Sequence, residues 1–422
     1  MSMRSTSPAY ASSELWHDAG RHPTSLGCSN CPEFSRCGGI HVGASVYDCN
    51  DICRCAEVAD CDVVCRCRPD HFVARVREIG GFALSNVPRA SPLPATGMPL
   101  AIPLLDHKYS RNSYFRSPLV ALPLYRVVNM ATGQLHVESR SELSDRFRVD
   151  TNARIVLSGV DRDRYVEGWW NFPNRSELLA GLKNLGIELI TSPNFSLLSD
   201  VPRTDNLHAM KRIALVWSEI VCAGIPAALH INARTDADYD SWADFIRERS
   251  EVAVLSFEFA TGCGRSDRID WHIKKLCELS SKVDRPLRLI VRGGSHRLAV
   301  LRASFEAVTM LETDSFAKTH RRQRATLMPD GRLRWKKQAT LKGDPLDDLF
   351  VHNCGVVRAA LEMGRRPVQP GSRPTIAIPI RRRAANRDGK SIQPSLLDHL
   401  LPPSEGRAIA FNRDRVVAAT KP

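Results

Sequence analysis

RIVLSG (154–159), IELITS (187–192), AALHIN (227–232), VAVLSFEF (252–259), LRLIVR (287–292) and FEAVTMLET (305–313) are the six runs on which the reading of this chain turns. Each is short, β-rich and bounded by Gly, Pro or Asn, and an amphipathic stretch of helical period separates each from the next. From Ala153 to about Lys318 the alternation predicts βα units that share a parallel sheet. Six units in succession favour an α/β fold built as a parallel (βα) barrel or partial barrel.

Period-two alternation within these runs selects the candidate chemistry. In LSFEF, Ser256 and Glu258 share the face opposite Leu255, Phe257 and Phe259; in LHIN, His230 and Asn232 oppose Leu229 and Ile231; in LIVR, Arg292 opposes Val291. In consecutive strands, His230, Glu258 and Arg292 then point into the barrel near its C-terminal mouth, where Asp161 and Asp314 follow their own strands. There Glu258 or Asp161 reads as a base or nucleophile, His230 as a proton carrier, and Arg292 with the turn Gly293–Ser295 as an anion or phosphate site. A Glu between two Phe needs a partner when buried, so an ion pair with Arg292 that only plugs the barrel is the plain alternative.

The segments after the strands are polar, as barrel βα loops are where ligands are handled. DRDRYVEGWWN (161–171) reads as a loop whose Trp169 and Trp170 either stack on bases or serve as lid and core; NARTDAD (232–238) and ATGCGRSD (260–267) follow later strands. Between Leu119 and Val149, VALPLYRVV and QLHV read as a hairpin that completes or caps the barrel, with a helix from about Ser141. Residues 86–103 hold five prolines and read as a linker or extended arm, reaching to 118. HFVARVREIGGF (71–82) reads as a short helix stopped by Gly80 and Gly81.

The chain of 422 residues is 43% apolar, enough for a large core and for two or three domains. No apolar run approaches the roughly 20 residues that cross a bilayer, and a secretory layout is lacking, which points to a cytoplasmic protein with no membrane partner. The formal charge of +13 is local: residues 318–422 carry 22 Lys and Arg against 9 Asp and Glu, while the first 317 balance. A concentrated positive field favours a polyanion, nucleic acid above all. The candidate contacts are Arg321, Arg322 and Arg324 in KTHRRQR, and Trp335, Lys336 and Lys337 in RLRWKK. The segment 344–361 reads as an amphipathic helix; from 363 onward the Pro- and Arg-rich text reads as a disordered basic tail, in which QPSLLDHLL (393–401) offers a docking motif for a protein partner.

Nine of thirteen cysteines fall within a module spanning residues 27–85, after a Ser- and Pro-rich segment 1–26 read as disordered. The pattern Cys28-x2-Cys31-x5-Cys37-GGI-His41 is followed by Cys49-x3-Cys53-x-Cys55 and its repeat Cys61-x3-Cys65-x-Cys67. Without an export signal such a cluster suits metal more than disulfides. A Cys3His set fits zinc, and nine thiolates fit iron–sulfur clusters; both remain open.

The first of these patterns, through Gly38 and Gly39, resembles part of the SPASM-type auxiliary-cluster domains of radical S-adenosylmethionine enzymes, with His41 where that motif has a Cys. No Cys-x3-Cys-x2-Cys accompanies it, so S-adenosylmethionine is not supported by motif. Over about Arg154 to Ala325 the strand order resembles an uncharacterised phage- and plasmid-borne βα-repeat family and, more distantly, the barrel of tRNA-guanine transglycosylases, whose loop and zinc-site motifs are absent here. The reading that follows is a metal-containing barrel protein acting on nucleic acid or a nucleotide-derived substrate. Its alternative is a non-catalytic nucleic-acid-binding protein of a mobile element.

Overall fold

The computed structural model describes residues 76–94, 97–197, 203–260, 266–341 and 343–364. All of them lie in the first of two compact units, Met1–Pro367. The cysteine module with the ligands proposed from Cys28 to Cys67, Cys263, and the tail with its 393–401 motif lie outside the described residues.

Eight parallel strands wind in chain order around one barrel. They are β1 (Ala101–Pro103), β2 (Leu119–Pro123), β3 (Arg154–Ser158), β4 (Leu189–Thr191), β5 (Ala227–His230), β6 (Val254–Glu258), β7 (Arg288–Arg292) and β8 (Ala307–Glu312). Neighbours from β2 to β8 pair in parallel, β8 pairs with β1, and a single parallel bridge between Leu104 and Ala121 joins β1 to β2. Six strands coincide with the runs read from the sequence. One of the other two corrects it, since Ala101–Pro103 lies inside the stretch read as linker; Leu119–Pro123 pairs with β3 and completes the barrel wall, one of the two roles read for its segment. The hairpin that does form nearby is small, Val128–Asn129 against Gln134–Leu135.

Side chains alternate across this wall, so the described residues form two cores. Ile102, Leu119, Ala121, Val156, Leu189 and Ile290 meet inside the barrel, whereas Ile155, Leu157, Leu229, Leu255, Leu289 and Val291 face the helical layer. That layer contains α1 (Arg140–Phe147), α2 (Asp163–Trp170), α3 (Arg175–Asn184), α4 (Arg203–Cys222), α5 (Asp236–Arg247), α6 (Ser266–Val283), α7 (Leu298–Ser304), α8 (Asp314–His320) and α9 (Asp347–Met363). Local caps account for several starts. Ser139, two residues before the start read from the sequence, accepts from Glu142 N to begin α1, and Glu142 returns a bond to Glu138 N. Thr235 and Asp238 form a capping box on α5, which gives the acidic NARTDAD segment a structural occupation.

Residues 78–90 strap the outside of the barrel against α4 and α5. Ser218 Oγ donates to Pro88 O at 2.7 Å, and enclosed Lys211 donates to Ala83 O and the Asn86 amide oxygen. Burial, with Arg249 nearby, pushes Lys211 down to about 8. Gly80 and Gly81 take positive φ at the helix stop read there.

Past the barrel, β9 (Gln323–Leu327) and β10 (Leu333–Lys337) make an antiparallel ribbon. Buried Asn353 on α9 fastens it: its Nδ2 donates to Thr319 Oγ1 and Gln323 O, both at 2.9 Å, and its Oδ1 accepts from Ala325 N at 2.8 Å. Asn353→Leu strands those buried partners and is expected to cost about 2–4 kcal/mol, since each orphaned buried group costs about 1–3 kcal/mol. A shift of the urea midpoint worth less than about 1 kcal/mol would contradict this anchoring.

Candidate active site at the barrel mouth

The inner face of five consecutive strands changes character along its length. Val156 gives way to Ser158, Leu189 to Thr191, Ala228 to His230, Val254 to Ser256 and Glu258, and Ile290 to Arg292. Polar groups therefore gather at the C-terminal end of the barrel, the face on which (βα) barrels handle ligands. At the opposite end a hollow of about 170 Å³, lined by Met98, Val254, Arg288, Ile290 and Glu306 among others, holds ionic groups already paired, Arg288 with Glu306 at 3.0 Å. The mouth is the better candidate, because its acids and bases come from the ends of several strands.

Glu258 and Arg292 are opposite residues of β6 and β7, and their side chains form an ion pair at 3.4 Å, 4% and 19% exposed respectively. Glu258 Oε1 also accepts from Ala260 N at 2.6 Å, and Arg292 Nη1 donates to Val160 O at 3.3 Å. That second bond carries Arg292 across the mouth to the exit of β3, where Asp161 stands. Burial raises the Asp161 carboxyl above the usual range, against the opposing pull of the Arg162 amide, Arg126 and Arg292. Arg126 in turn binds Asp106 through Nε at 3.0 Å. The result is an arc of alternating charge, Glu258, Arg292, Asp161, Arg126, Asp106, drawn from the ends of β6, β7, β3, β2 and β1.

Two backbone features let the strand exits close up. A Cβ on Gly159 would run into the Thr191 carbonyl and lie 2.9 Å from Pro193 N, while Gly159 N donates to Thr191 Oγ1 at 2.8 Å. Gly293 and Gly294 have φ of +79° and +70°, and a Cβ on Gly294 would lie 2.9 Å from the Phe259 ring. The turn after Arg292 is thus packed on the exit of β6. The 3-10 turn and α7 that follow it are short.

His230 lies deeper than this arc. It is buried, its Nδ1 is 3.4 Å from Ser256 Oγ, and burial pushes it down to about 3, so its imidazole is neutral at ordinary pH. Asp314 is exposed in the first turn of α8. The structure brings Glu258, Arg292 and Asp161 together, sets His230 beneath them, and leaves Asp314 at the rim outside their contacts. Asp106 and Arg126 escaped the sequence reading. IPLLD (102–106) has the same form as the other strands, an apolar run ending in a polar group, but the prolines around it masked that form.

DRDRYVEGWWN corrects to a helix, α2. Trp169 is fully enclosed, and Trp170 packs edge-on to Phe195 with Arg175 stacked over it at 4.8 Å. Neither ring presents a platform for a base.

Of the proposed nucleic-acid contacts, Arg324, Trp335, Lys336 and Lys337 lie on the β9–β10 ribbon, and Arg321 and Arg322 immediately precede it. The basic cluster is therefore strand and turn. Among the described residues no group of three or more His, Cys, Asp or Glu side chains is placed to hold a metal ion, and no helix is long and apolar enough to cross a membrane.

No family model matches the chain, and no curated protein does. Among solved structures the chain is similar to a Burkholderia cenocepacia J2315 protein described as a phosphonomutase, at 15% identity over 56% of this chain and 91% of that one, with a TM-score of 0.29.

Proposed function

We propose that this chain is an enzyme acting on a nucleotide-derived, phosphate-bearing substrate at the C-terminal mouth of its barrel. The observation that carries the reading is the arc of alternating charge contributed by the ends of five different strands. Arg126 and Arg292 supply cations for a phosphate, each positioned by its own carboxylate, Asp106 and Glu258. Asp161 is the acid–base group, because burial lets it carry a proton at a higher pH than an ordinary carboxylate while it stays within the field of both guanidinium groups at the strand exits. His230, held neutral beneath them, fixes the barrel floor through Ser256. The cysteine module, holding zinc or an iron–sulfur cluster, serves structure, binding or electron transfer.

Thermal denaturation with a panel of nucleotides tests this reading. A phosphate-bearing nucleotide is expected to raise the midpoint of the wild type and to lose that effect in Arg126→Gln. Turnover of the same nucleotide should fall about 10²–10⁴-fold in Asp161→Asn while its stabilising effect persists. A panel without effect on the wild type would sink the proposal. Full biological function in Asp161→Asn would favour the non-catalytic nucleic-acid-binding reading, which the basic β9–β10 ribbon supports.

A further inference from the structure

The register of the β9–β10 ribbon sorts its side chains into two unlike faces. Arg324 pairs with Lys336 and Thr326 with Arg334, and all four are exposed; between them Ala325 pairs with Trp335 on the face toward α8 and α9. Three cations thus stand on one face of a rigid strand pair. Arg324 and Lys336 are directly opposite each other, a like-charge arrangement that destabilises a sheet when nothing neutralises it. Among the described residues none of Arg324, Arg334 and Lys336 forms an ion pair, whereas Arg332 at the tip is matched by Asp330. Arg324 is steadied by Gln338 Oε1 at 3.4 Å and His352 Nδ1 at 3.0 Å. Asn353 locks the backbone beneath them.

We infer that this outer face docks on duplex DNA, with Arg324, Arg334 and Lys336 contacting phosphates from within or across the major groove. The inference deepens the proposed function, on which it rests for a nucleotide-based partner, by naming the macromolecule. One observation favours a duplex over a single strand, and a second favours DNA over RNA. The ribbon's aromatic residue faces the protein, with Lys318 over the Trp335 ring at 5.9 Å, so the cationic face lacks the stacking platform that single-strand binders use. Five residue pairs give a ribbon about 17 Å long, and a two-stranded ribbon fits the major groove of B-form DNA, about 12 Å wide, but not the deep, narrow one of duplex RNA.

Fluorescence anisotropy on the full chain, with labelled duplex DNA, the corresponding single strand and duplex RNA over a range of salt, provides the test. The wild type should prefer duplex DNA. The triple variant R324Q/R334Q/K336Q should weaken that binding at least tenfold at low salt and flatten the slope of log K against log salt by about 2–3, close to 0.9 per lost phosphate contact. If the triple variant does not fold, Arg334→Gln alone should flatten the slope by about one. Unchanged slopes in the folded variants would overturn the inference, as would a wild type that prefers single-stranded DNA or duplex RNA or binds none of the three. Arg126→Gln and Asp161→Asn should keep their duplex affinity, so a failed mouth chemistry and a failed ribbon give different results. Loss of affinity in Arg126→Gln with the ribbon variants unaffected would move the contact to the mouth and overturn it.

Discussion

Arg292→Met is expected to lower the stability of the fold by about 3–5 kcal/mol, the usual cost of taking one partner from a buried ion pair. Glu258 is the reason. Its side chain is 4% exposed between Phe257 and Phe259, and Arg292 Nε at 3.4 Å is the cation beside it. Methionine keeps most of the volume and removes the charge, so the carboxylate must either stay ionised without that cation or take up a proton. Adding Glu258→Gln to the variant should restore a large part of the loss, because the buried carboxylate's charge goes with it. Urea denaturation of the two single variants and the double variant reads the coupling directly. A cost for Arg292→Met below about 1 kcal/mol would place the pair among solvated surface bridges and contradict the burial.

The second large effect is acid sensitivity. Burial pushes His230 and His272 down to about 3 and His320 to about 4, from an ordinary 6.5. A group whose folded pKa is depressed takes up its proton more readily in the unfolded chain, so its contribution is fully present above about 6.5 and is lost as pH falls toward 3–4. Each such histidine removes on the order of 1.4 kcal/mol per pH unit through that window. Glu312 runs the other way: burial raises it from 4.5 to about 7, so its stabilising contribution is full below 4.5 and is lost as pH rises through 7. Three histidines outweigh one carboxyl, and the urea midpoint should fall steeply between pH 6 and 4. His272→Gln, which removes the imidazole facing the Tyr239 hydroxyl at 2.9 Å, should make the fall shallower. A midpoint flat down to pH 4 would mean that these rings are already solvated.

Six of the eight strands, and the inward direction of Glu258, His230 and Arg292, were legible in the order of residues alone. These depend on period, and the two-residue repeat of a strand is a local property that side chains display wherever the strand ends up. That order also carried the helix that became α9 and the stop at Gly80 and Gly81. The remainder came from contacts between distant segments. Strands β1 and β2 contain Pro103 and Pro123 at their ends, where the local signal reads as a breaker, and they became walls because closing the barrel brought Leu104 to Ala121. Asp106 and Arg126 joined the mouth through that same closure, a contact between segments whose pairing no local pattern announces. The acids in NARTDAD went to a helix cap and both tryptophans of α2 to packing, because a residue's type names the chemistry it can do, while its neighbours in space decide whether that chemistry faces a substrate.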